Sequence, residues 1–153
     1  MKLSVRGEYA LCALMVLGES YEEGVVRIQA ISERQSIPKR FLEQILNDLR
    51  SGGFLESRRG VGGGYRLARP PQEITLAALM HHVQGLLPPD PLPGARHTGR
   101  GQRADEVDRA IQSVTKEVRD AMRAVLGKLT LADLCERARK LRHETGGGVD
   151  YMI

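Results

Sequence analysis

Apolar residues recur along this chain in two rhythms. The first is the ordinary spacing of a helix face. Over residues 3–18, Leu11, Leu14 and Met15 fall at i, i+3 and i+4, and Gly18 fits a stop. "ESYEEGVV" is polar and reads as a loop. "RIQAISERQ" predicts a short helix with Ile28 and Ile31 inward, and "SIP" a tight connection. Pro38 suits a first helical turn, where a missing N–H costs nothing. "KRFLEQILNDLRSGG" is amphipathic, with Phe41, Leu42, Ile45, Leu46 and Leu49 as its apolar stripe and Gly52 and Gly53 as its end. In "FLESRRGVGGGYRLARP" a strand begins at Leu55, "GVGGG" turns, "YRLA" returns, and Pro70 and Pro71 close the hairpin. In "ITLAALMHHVQG", Thr75 can cap a helix that turns Leu76, Leu79, Met80 and Val83 inward and ends at Gly85.

The second rhythm starts at Asp105. Val107, Ile111, Val114, Val118, Ala121 and Val125 are spaced 4, 3, 4, 3, 4, with β-branched residues at Ile111, Val118 and Val125. That is a heptad seam, and it predicts a dimerisation helix. The alternative is a stripe packed within one chain. "TLADLCERARKL" predicts a last helix, with Thr130 and Asp133 as a capping box and Leu131, Leu134, Cys135 and Ala138 inward. The organisation expected is a folded unit over 1–85, a linker over 86–104 with four prolines and three glycines, a helical unit over 105–143 and a tail over 144–153.

Composition narrows the function. There is no apolar run of transmembrane length. The apolar start is interrupted by Arg6 and Glu8, unlike a signal peptide, so a cytoplasmic protein is expected. Two cysteines, Cys12 and Cys135, exclude a disulfide framework and a Cys-rich zinc motif. The net charge is +4, but residues 27–69 hold nine Lys/Arg against four Asp/Glu, so the basic excess sits in one stretch. The glycine-rich turn lacks the Gly-Lys-Ser/Thr ending and the following helix of a phosphate loop. No nucleophile–base pair or paired acid emerges, so the chain does not read as an enzyme.

A helix, a short helix, a tight turn, a helix and a Gly-tipped hairpin make a mainly α fold with a small β-wing. This is a winged helix-turn-helix joined to a long dimerisation helix. The helix after the turn would enter the major groove of double-stranded DNA. Lys39 and Arg40 stand at its start. Glu43 and Gln44 are polar opposite the apolar stripe, and such side chains can pair with cytosine N4 and adenine. Arg58 and Arg59 precede the wing tip, where they could meet phosphates or the minor groove. Any one of these charges alone would read as a solvated face. Together, with the local positive excess, they point to DNA.

"LSVRGEYAL", "ISERQSIPKRFLEQILNDLRSGGFLESRRGVGGGYRLARP" and "ITLAALMHHVQG" resemble the IscR/NsrR/CymR group of bacterial repressors, the Rrf family. The resemblance is strong over residues 1–85 and looser beyond. It implies a homodimer that reads a palindromic operator, with Glu43, Gln44 and Arg59 at matching contact positions. Arg40 departs from the smaller residue often found at its place. Many members sense through an iron–sulfur cluster held by three cysteines in the loop before the dimerisation helix. That loop, here 86–104, has none, so no cofactor is expected. Glu8 and Cys12, one turn apart, with a partner copy's loop supplying its own equivalent of His97, are the alternative metal ligands. The plainer reading of the three is a surface glutamate, a core thiol and a solvated histidine.

The resemblance also gives the tail a meaning. In the cluster-lacking, CymR-like branch the sensor is a partner enzyme, O-acetylserine sulfhydrylase, which also takes the terminal isoleucine of serine acetyltransferase into its active site. "GGGVDYMI" is similar to such an arm. A glycine tether lets the end search. The carboxylate can be caught by backbone N–H groups, with Ile153 as the apolar anchor and Tyr151 stacking beside Asp150 and Met152. A plain frayed terminus is the competing reading. The expected regulator therefore belongs to cysteine or sulfur metabolism. The rivals are an iron, redox or small-molecule sensor of the same family, and a tail-bearing inhibitor of the enzyme.

Overall fold

The computed structural model describes residues 2–85 and 102–146. In chain order the elements are α1 (Val5–Glu19), α2 (Ile28–Gln35), α3 (Lys39–Ser51), β1 (Leu55–Arg58), β2 (Gly64–Leu67), α4 (Leu76–Gln84), α5 (Gln102–Lys128) and α6 (Leu131–Gly146). Single 3-10 turns stand at Tyr21–Glu23 and Pro71–Glu73. The expected architecture, mainly helical with a two-stranded wing, is the one observed.

Local chemistry sets the element ends. Ser4 caps α1 by accepting from the Gly7 N–H at 3.1 Å, and Thr75 caps α4 by accepting from the Ala78 N–H at 3.2 Å. Between α2 and α3 the chain reverses at Ser36, a non-glycine residue at φ 53°. The Ser32 hydroxyl donates to the Ile37 carbonyl at 2.6 Å and fixes this turn. Pro38 stands one residue before α3 rather than inside its first turn, and its carbonyl accepts from Phe41 and Leu42, each at 3.1 Å. In the wing, β1 and β2 pair antiparallel from Leu55↔Leu67 to Arg58↔Gly64. The turn needs glycine at Gly60 (φ 95°) and Gly62 (φ 79°). Gly64 is needed for a different reason, since a Cβ there would lie 2.3 Å from the Val26 carbonyl.

The core sits where α1 meets α2, α3, the wing and α6. Leu14 and Leu17 of α1, Ile31 of α2, Leu42, Leu46 and Leu49 of α3, Leu79 of α4 and Leu131 of α6 are all fully buried. The α1 stripe is wider than Leu11, Leu14 and Met15. Ala10, Ala13, Val16 and Leu17 are buried as well, while Leu11 and Met15 are only half-buried. A helix contacted by α2, α3, α4 and α6 hides most of its circumference.

Three boundaries differ from expectation. The long helix begins at Gln102, inside the expected linker, and α6 continues to Gly146, inside the expected tail. Within that last turn the Thr145 hydroxyl donates to the Leu141 carbonyl at 2.7 Å. Phe41, expected in the α3 stripe, is 42% exposed. It lies at the edge of that stripe, and Leu42, Ile45, Leu46 and Leu49 suffice to close the inner face.

Helix α5 is unlike the rest. Val107, Ile111, Val114, Val118 and Val125 are between 54% and 62% exposed, and Ala121 is exposed too. Nothing among the described residues covers this seam. At its C-terminal end α5 is tied back to the first unit. Leu76 N–H donates to Leu129 and Leu131 N–H to Ile74, both at 2.8 Å. The capping box forms as expected. Asp133 accepts from the Thr130 N–H at 2.8 Å and hydroxyl at 3.0 Å, and the Thr130 hydroxyl accepts from Asp133 N–H at 3.2 Å. Those bonds hold the Asp133 carboxyl below the usual carboxylate range, the Thr130 N–H first.

Candidate nucleic-acid interface

With its inner face sealed, α3 presents Lys39, Arg40, Glu43, Gln44, Asn47 and Arg50 outward. The first four are the residues singled out from the sequence, and the fold brings them onto one surface. Asn47 was not singled out. It lies three and four residues after Gln44 and Glu43, a spacing that would have revealed it. No side chain caps the start of α2 or α3. The first N–H groups of both helices are thus without a side-chain cap, at the positive end of the helix dipole.

The wing places Arg58 and Arg59 at its exposed tip. Arg58 ends β1 and Arg59 follows it in the turn. Arg66 is different. It sits directly across from Glu56 and donates to that carboxylate twice, at 2.8 and 2.9 Å. The Arg50 guanidinium donates to the Ser57 hydroxyl at 2.9 Å and so links the end of α3 to β1.

A cluster that the sequence did not reveal supports the other flank of α3. Asp48 receives Arg6 of α1 at 3.3 Å and His82 of α4 at 3.5 Å, and the His82 Nε2 also lies 3.1 Å from the Asp48 carbonyl oxygen. The His82 ring tilts against Phe54, centroids 5.3 Å apart. It also fills the space beside Gly52, where a Cβ would come within 2.5 Å of the ring. Asp48 is 34 residues away in sequence, and the His82 ring reaches it from α4 at the end of α3.

The cysteines do not assemble a metal centre. Cys12 is half-buried on α1, and its thiol is pushed up by burial and then by the Glu8 charge. Cys135 is half-buried on α6 and donates to the Met15 carbonyl at 3.7 Å. Burial, then the Glu19 charge, pushes its thiol up to about 11. Iron–sulfur clusters are held by several thiolates, and the two cysteines of this chain stand on different helices, α1 and α6. Among the described residues no three His, Cys, Asp or Glu side chains come together as a ligand set. His97 and the tail residues Asp150, Tyr151, Met152 and Ile153 lie outside the described residues. No helix of the described residues is long and apolar enough to cross a membrane.

Comparison with known proteins gives a consistent picture. An HTH-type regulator of Synechocystis is 33% identical over the full length of both chains. The structure of CymR, the global cysteine regulator of Bacillus subtilis, superposes with a TM-score of 0.70 at 27% identity, over 90% of this chain and 98% of that one. The structure of IscR from T. potens superposes with a TM-score of 0.68 at 30% identity, over 90% and 88%. The family model described as "Rrf2: Iron-dependent Transcriptional regulator" matches residues 3–137. This chain therefore belongs to the Rrf2 family, a non-enzymatic family of DNA-binding transcriptional regulators.

Proposed function

We propose that two copies of this chain pair through the α5 seam and hold two α3 helices over a palindromic operator. The exposed seam carries this reading. Five β-branched residues at heptad spacing are more than half exposed, with nothing among the described residues covering them, and such a surface is stable when a second copy closes it. On each half-site Lys39, Arg40, Glu43, Gln44 and Asn47 face the major groove, and Arg58 and Arg59 reach the flanking backbone or minor groove. The uncapped start of α3 adds backbone donors for a phosphate.

The regulator acts in the cytoplasm as a repressor of cysteine and sulfur metabolism. No iron–sulfur cluster serves as its sensor. O-acetylserine sulfhydrylase takes Asp150–Ile153 as a substrate mimic and thereby couples enzyme state to operator occupancy. Two things support this reading: residues 86–104 carry no cysteine, and the chain is similar to a regulator described as the global cysteine regulator of its organism. Calorimetric titration of the sulfhydrylase with the full chain and with a chain ending at Val149 tests it. Binding by the full chain alone, competed by O-acetylserine, is expected. Equal binding or none by both removes the tail from the mechanism.

The family description "iron-dependent" favours a second reading. There Glu8 and Cys12, with the partner copy's loop, hold a metal ion. Anaerobic purification followed by metal analysis of the native chain and the C12S variant separates the two. Stoichiometric iron lost in C12S selects the second.

A further inference from the structure

Phe41 is the one large apolar side chain of α3 that the fold leaves in water. The Arg40 guanidinium lies over its ring, 4.9 Å from the centroid. The two side chains form a single stacked unit in the first turn of the helix. A guanidinium resting on a ring loses less freedom when it later binds, because the stack already restricts it. Among the described residues nothing covers the outer side of the ring, which is left 42% exposed on the face that α3 offers to a partner.

In the major groove the prominent apolar feature of a base edge is the C5-methyl of thymine, while guanine offers N7 and O6 to arginine. We propose that Phe41 is a specificity-determining residue whose ring packs on a thymine methyl, with Arg40, held on the ring face, taking guanine at a neighbouring base pair. The guanidinium and the ring centre are 4.9 Å apart, between one and two base-pair steps of about 3.4 Å, so one stacked unit can span neighbouring base pairs. This rests on α3 reading DNA, and it names what α3 reads. The stacked unit selects a thymine next to a guanine in each half-site, and cytosine fails at the thymine position because it lacks the methyl.

The test starts with duplexes selected from a random pool by the full-length protein. Each thymine of the selected half-site is replaced by deoxyuridine, which removes only the methyl. Affinity is measured for the native chain, Phe41→Ala and Phe41→Leu. At one thymine per half-site, deoxyuridine should weaken the native chain about fourfold, the worth of one buried methyl-sized group. The same replacement should leave Phe41→Ala unmoved, and Phe41→Leu should keep part of the effect. Should Phe41→Ala bind nothing, Phe41→Leu supplies the comparison. If every deoxyuridine duplex binds the native chain and the variants with unchanged ratios, the thymine contact is wrong although α3 reads DNA. If the native chain selects no duplex at all, the DNA reading of α3 fails first and the inference falls with it.

Discussion

The first unit and helix α5 handle apolar side chains in opposite ways. In α1–α4 and the wing the large aliphatic residues close on one another, and Leu14, Ile31, Leu42, Leu46 and Leu79 see no water. In α5 the valines and the isoleucine of the seam are more than half exposed. Both regions are regular helices with an apolar face. They differ in what stands against that face, not in spacing: Leu42, Leu46 and Leu49 of α3 are also spaced 4 and 3, but they meet α1 and α2, whereas nothing among the described residues covers the α5 seam. The same residue types thus close the core in one place and remain on the surface in the other.

The seam gives the largest predicted effect. Ile111→Glu combined with Val118→Glu places like charges face to face in a paired seam. The variant should sediment as a monomer at concentrations where the native chain is a dimer. Its operator affinity should fall on the order of 100-fold, because the second half-site no longer binds as an intramolecular step. The melting of the first unit should be nearly unchanged. A variant that remains dimeric would place the interface elsewhere.

The matching core substitution sharpens the contrast. Leu46→Ala removes a fully buried side chain and should cost about 2–5 kcal/mol in denaturant unfolding. Val118→Ala, in a chain already made monomeric, changes a surface position and should stay within about 0.5 kcal/mol. In the dimeric chain the same Val118→Ala should lower stability in a concentration-dependent way. Equal costs in the monomer would mean that α5 is packed within its own chain after all.

What could be read beforehand follows the same division. Periodicity located each α-helix among the described residues, because each carries an apolar stripe, but not the two 3-10 turns, which are too short to show one. Caps at Thr75 and Thr130 were visible because capping depends on residues three apart. The charged residues of α3 were visible as the complement of its stripe. Phe41 was misplaced because pattern counts apolar residues and does not know how many the inner face needs. The cluster of Arg6, Asp48 and His82 was invisible, since its members are brought together by α1 and α4 packing on α3 and share no local spacing. The run of α6 to Gly146 was missed because helix propensity penalises a glycine by only about 1 kcal/mol, which an established ladder absorbs.

The smallest predicted effect concerns the joint between the two regions, where α6 packs Cys135 against α1. A Cβ at Gly18 would already lie 3.0 Å from the Cys135 sulfur, so the contact is close. The thiol is held up to about 11, against an ordinary value of 9.0, chiefly by burial. A raised value means that the folded state prefers the neutral thiol. The associated stability is complete below the unfolded value and is lost as pH climbs from about 9 towards 11. Tyrosines and lysines titrate in the same range, so the readable quantity is a difference. The native chain should lose more stability between pH 8 and pH 10.5 than Cys135→Ser, which keeps the shape but does not ionise there. Alkylation at pH 8 should likewise be slower at Cys135 than for free cysteine, since little thiolate is present. Parallel pH curves for the two proteins would mean that α6 lifts away from α1 readily. The joint would then be looser than the core beside it.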